Sequence, residues 1–161
     1  MNGSAFAPGL LFASLGLALA FSASRRIMAT GLAATIAVAT MAVALAPRFA
    51  EQTPVLAGCW IGVLAAAACM YWRRPIGARA ALPLCANGGL WAGLTIAGTG
   101  EPVGLATSLP WALSCVPAAR LVERGHGIVV KVGGSWLAAA AVLSLGLLTV
   151  PTLGFEPDHR E

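Results

Sequence analysis

The chain has 161 residues, 58% of them hydrophobic and 10% charged, with a formal net charge of +4. Soluble domains carry about 25% charged residues, so an ordinary water-exposed surface is excluded and the composition points to a protein covered by lipid. The basic excess is not that of a nucleic-acid binder, because the basic residues stand beside apolar runs rather than along one soluble face. It suits the anionic headgroups of a cytoplasmic leaflet.

Six apolar runs follow one another, at 5–22, 28–46, 54–72, 80–98, 103–119 and 128–150. Most are close to the roughly 20 residues that a helix needs to cross a bilayer. The first has no Lys or Arg before it, and its basic pair, Arg25-Arg26, comes after it. A secretory leader has the opposite order, so the run reads as a first membrane helix with its N-terminus outside. The second run is nearly pure Ala, Val, Thr, Ile and Met and ends before Pro47-Arg48. The third and fourth form a helical hairpin around a basic connector that carries Arg73, Arg74 and Arg79. The fifth is the weakest, being short and containing Pro110 and Pro117. Proline removes a backbone donor and kinks a helix. In lipid the freed carbonyl needs another partner, for which Thr107, Ser108 and Ser114 are at hand. The sixth follows a polar segment with Arg120, Glu123, Arg124 and His126, and a mixed-charge tail, Glu156–Glu161, reads as a solvated terminus.

The basic residues set an orientation. With the first loop cytoplasmic, alternation places Arg25, Arg26, Arg73, Arg74, Arg79, Arg120, Arg124 and Lys131 inside, eight of the ten, and leaves Arg48 and Arg160 outside. Lys and Arg beside spans mark the cytoplasmic side. The expected fold is all-α: a polytopic integral membrane protein, a single-domain bundle of six transmembrane helices with short loops, in a bacterial inner membrane. Both termini are expected on the periplasmic side. The seven arginines form a cytoplasmic rim for lipid headgroups.

Glycines recur four apart as Gly58-Cys-Trp60-Ile-Gly62 and Gly89-Leu-Trp91-Ala-Gly93, with a near copy at Gly134-Ser-Trp136-Leu-Ala138. Such pairs lie on one helix face and permit close backbone approach. They point to a packing seam between the third and fourth spans or between protomers, with chance recurrence of a common residue as the competing reading. Trp60 and Trp91 are somewhat deep for interfacial anchors, and packing across the hairpin competes with that role. Tyr71 and Trp72 beside Arg73 read as ordinary anchors.

Asn87 is the most polar side chain well inside a span. It reads as a structural hydrogen bond between helices, with a ligand-facing role as the alternative. Lys131 lies near the cytoplasmic end of its span, where its stem can snorkel to the headgroups. The four cysteines, Cys59, Cys69, Cys85 and Cys115, all sit in apolar runs without a C-x-x-C pair. They read as small packing residues, and no metal site is expected.

Other classes lack their equipment. His126 and His159 lie in polar segments, and no Asp or Glu lies within a span, so haem ligation and proton-coupled carriage are not indicated. No P-loop or dinucleotide-binding glycine pattern precedes a helix, and no cofactor is expected. The foremost expectation is a non-catalytic subunit or scaffold of a membrane complex, with other membrane subunits or further copies of itself as partners. The alternative is a small oligomeric channel or transporter for an uncharged solute, lined by Asn87, Thr107 and Ser108. An enzyme acting on lipid or quinone comes third.

Overall fold

Apolar runs of this length satisfy their backbone groups without water by coiling into helices. The computed structural model describes residues 6–22, 24–46, 53–72, 75–99 and 103–149. Among these, seven helices follow in order: α1 (Phe6–Leu19), α2 (Arg25–Leu45), α3 (Thr53–Met70), α4 (Ala78–Thr99), α5 (Val103–Ala112), α6 (Cys115–Glu123) and α7 (Gly127–Thr149).

The first helix organises the others. α1 has no polar stripe, and a helix that is apolar all round belongs inside. It packs against every other helix. From Ala7 to Leu19 only Leu10 and Leu17 are not fully buried. Its Leu11, Phe12, Leu15 and Leu19 are the largest fully buried side chains of the core.

Five helical segments are long and apolar enough to cross a membrane: α2, α3, α4, Gly104–Glu123 and α7. α1 is the exception at 14 residues. At 1.5 Å per residue it extends about 21 Å, less than the roughly 30 Å of a bilayer core.

The fifth run differs from its expected extent. It continues to Glu123 and divides into α5 and α6 around Leu113 and Ser114. The cause is Pro117, whose missing N–H leaves the Leu113 carbonyl without its usual helical donor. The Val116 N–H takes that carbonyl instead at 3.0 Å, in a tightened turn that also bonds Leu113 to Pro110 and Ser114 to Trp111. Arg120 is thereby a helical residue rather than part of a loop.

Three turns are tied together at one end of the bundle. The Ile76 N–H donates to the Phe21 carbonyl at 3.0 Å, which joins the α3–α4 turn to the α1–α2 turn. Arg25 reaches Glu123 at 3.1 Å, which joins the α1–α2 turn to the end of α6. Ser24 caps α2 by accepting the Ile27 N–H at 3.3 Å. Arg25, Arg26, Arg79, Arg120 and Arg124 all belong to this end, and all are exposed. Arg73 and Arg74 lie outside the described residues.

Candidate functional site

The glycine pairs each meet a different neighbour. A Cβ at Gly58 would collide with the indole of Trp91, so α3 and α4 touch there. Gly62 instead faces Leu11 of α1, whose Cδ1 would lie 3.1 Å from an added Cβ. Gly89 and Gly93 turn to α2, against the backbone of Thr35 and Ala39. The expected seam between α3 and α4 is therefore carried by Gly58 and Trp91, while the glycine pair of α4 serves α2. The reason lies in α2, whose buried residues are Gly31, Thr35, Ala39 and Ala42. These form a stripe of small side chains at helical spacing, the counterpart that close approach requires. The third motif packs too, with Gly134 of α7 against the sulfur of Met70.

Asn87 does not make the interhelical bond expected of it. It is exposed and forms no hydrogen bond among the described residues. The register of α4 accounts for this. Its buried face runs through Ala81, Cys85, Gly88, Gly89, Ala92, Gly93 and Ile96. Asn87 stands two residues from both Cys85 and Gly89, on the far side of the helix. Thr107 is exposed and Ser108 is buried. The centre of the bundle is filled by α1.

At the basic end lies a more built feature. Phe21 and Ser22 from the turn after α1, Tyr71 and Trp72 from the turn after α3, Val122 of α6 and Lys131 of α7 border an open cleft of about 410 Å³. The Lys131 ammonium sits 5.8 Å from the Phe21 ring centroid and 5.9 Å from that of Tyr71. The Tyr71 hydroxyl donates to the Lys131 carbonyl at 3.1 Å and holds α3 to α7. Stacking against rings leaves the three N–H donors of the ammonium available, and no carboxylate pairs with it among the described residues. In the sequence Lys131 stands alone. The aromatic pair beside it comes from the turns that follow α1 and α3, and adjacency in the chain gives no sign of it.

Among the described residues no group of three His, Cys, Asp or Glu side chains comes together. Cys59, Cys85 and Cys115 are buried, and Cys69 is partly so. Comparisons with protein-family models, with curated proteins and with solved structures found no match.

Proposed function

We propose that the chain is a small multi-pass membrane protein that serves as a non-catalytic subunit or scaffold of a membrane assembly. The observation that carries this reading is the filled interior: α1 occupies the axis that a solute path would need. Of the side chains expected to line such a path, Asn87 and Thr107 are exposed and Ser108 is buried. Small residues set the helix contacts and offer little side-chain chemistry.

In this reading the end that carries Arg25, Arg26, Arg79, Arg120, Arg124 and Lys131 faces the cytoplasm, following the positive-inside rule. In a bacterium the host bilayer is the inner membrane. The arginines rest among anionic headgroups. The cleft at Lys131 lies at headgroup level, where its ammonium can donate to a lipid phosphate. The shortness of α1 is no obstacle, because the surrounding helices rather than lipid cover it.

The test is extraction in a mild detergent followed by native gel separation and mass spectrometry of the band. The expected result is migration in a complex larger than one chain. A lone, stable monomer that moves a solute across liposomes, with the movement abolished by Asn87→Leu, would replace the scaffold with a transporter.

A further inference from the structure

We propose that the outward face of α4, centred on Asn87, is a two-fold interface with a second copy of this chain. The inference rests on the reading that the chain works inside a membrane assembly, and it names the partner. Pro83, Asn87, Leu90 and Leu94 recur at spacings of four, three and four, one stripe along the helix. The first three are exposed and Leu94 is half-buried. Beside the stripe, Val38, Met41 and Leu45 of α2 join Leu90 and Leu94 in an open apolar groove of about 340 Å³.

One polar group distinguishes this face from those suited to lipid. The outward side of α7 carries Val129, Val132, Trp136, Leu143 and Leu147. Its exposed Ser135 turns its hydroxyl back onto the Val132 carbonyl at 2.8 Å. Thr40 on α2 does the same with Ile36, at 2.9 Å. Asn87 has no such bond among the described residues. Its carboxamide offers two donors and an acceptor oxygen, and hydrocarbon supplies none of the partners these need. α4 starts at Ala78 and has 22 residues. At 1.5 Å per residue Asn87 stands about 13 Å along a helix of about 33 Å. That is too deep for a short side chain to reach either headgroup layer.

A second Asn87 meets this demand without further parts. Across a two-fold axis each carboxamide donates an N–H to the other's oxygen and accepts one in return, the self-complementary arrangement of an isologous contact. Both copies insert the same way, so the axis runs along the membrane normal. Leu90 and Leu94 of each copy then reach the other copy's groove at their own depth.

The test begins with Leu90→Cys, which keeps Asn87 in place, in native membranes oxidised with a membrane-permeant copper catalyst. The native cysteines stay in place and the unsubstituted chain sets the baseline. A disulfide-linked homodimer is expected from Leu90→Cys. None is expected from Trp136→Cys, which replaces a side chain 76% exposed on α7. Independently, native mass spectrometry from mild detergent should find two copies in the parent and in Asn87→Gln, and one copy in Asn87→Leu. Asn87 is exposed, so the leucine leaves the core intact. Equal cross-linking at the two sites, or a dimer that persists in Asn87→Leu, overturns the proposal. A cross-link to a different protein also overturns it while leaving the assembly reading in place. A monomer that retains a lipid makes the groove an acyl-chain site and overturns the two-fold interface as well. A single unassociated copy in both assays overturns this proposal and the assembly reading together.

Discussion

The carbonyl oxygen of Thr35 lies so close over Gly89 that a Cβ there would stand 2.5 Å from it. One turn further along α4, a Cβ at Gly93 would stand 2.6 Å from the Ala39 carbonyl oxygen. Backbone meets backbone at both points, and backbone cannot rotate out of the way as a side chain can. Gly89→Ala and Gly93→Ala should each destabilise the bundle by about 1–3 kcal/mol, the usual cost of overpacking. Thermal unfolding in detergent measures this. Gly77→Ala is the control, since no atom lies within 4 Å of a Cβ at that exposed turn. Melting of Gly89→Ala and Gly93→Ala at the control's temperature would mean that α2 and α4 are not in backbone contact.

The α3 pair behaves differently from the α4 pair and from one member to the other. At Gly62 an added methyl meets the end of Leu11, 3.1 Å away, and a leucine can change rotamer. At Gly58 it meets the indole of Trp91, a rigid ring that must move as a whole. Gly62→Ala should therefore cost under about 1 kcal/mol, and Gly58→Ala about 1–3 kcal/mol. Gly58→Ala should also shift tryptophan fluorescence, because Trp91 is displaced from the α3 surface. An unchanged emission spectrum in Gly58→Ala would show that the ring does not rest there.

These seams mark how much the sequence disclosed. Gly58, Gly62, Gly89 and Gly93 were legible as positions of close approach, because glycine four apart has a direct geometric meaning. Their partners were not, because glycine carries no label for the helix it receives. A weaker signal did exist in Gly31, Thr35 and Ala39, small residues four apart, though the alanines around them blur it. The centrality of α1 also had a signal, its lack of any polar face, but adjacency in the chain favoured a hairpin of neighbours over a helix wrapped by all. Pro117 was legible as an interruption, and the structure places the break at its i−4 carbonyl. Asn87 was legible as unusual for its depth. Its outward direction depends on the register of α4, which the small residues of the buried face decide together. The aromatic cradle of Lys131 could not be read at all, since Phe21 and Tyr71 come from the turns after α1 and α3, far from it in the chain.

Orientation is tested by labelling. Cysteine at Thr99, at the end of α4 opposite the basic turns, should react with an impermeant thiol reagent added outside intact cells. Cysteine at Gly77, in the turn tied to Phe21, should react only after the membrane is opened. Both positions are exposed, so reactivity reports the side of the membrane. Labelling of Gly77→Cys from outside would invert the topology and move the arginine rim with it.

The last prediction concerns the turn between α5 and α6, which is pressed against α1. A Cβ at Gly16 would collide with the Ser114 hydroxyl and stand 2.8 Å from the Ala112 carbonyl oxygen and 3.1 Å from the Cys115 nitrogen. The Ser114 hydroxyl donates to the Ala13 carbonyl at 3.3 Å. The break that Pro117 imposes thus lets two stretches of backbone close on each other at the centre of the bundle. Gly9 lies seven residues earlier, on the same face of α1, and also looks toward α5. There a Cβ would sit 3.5 Å from the Trp111 ring, an ordinary contact. Replacing either glycine with alanine improves helix propensity by about 1 kcal/mol, so that gain is common to both. The difference between the two variants then reports local packing alone. Gly9→Ala should leave melting unchanged or raise it. Gly16→Ala should lower it, by about 1–3 kcal/mol of overpacking against the propensity gain. Ser114→Ala, which removes one hydrogen bond and keeps the glycine, should cost about 1 kcal/mol. Equal melting of Gly9→Ala and Gly16→Ala would mean that the α5–α6 turn does not rest on α1, and that the bundle has room at its axis after all.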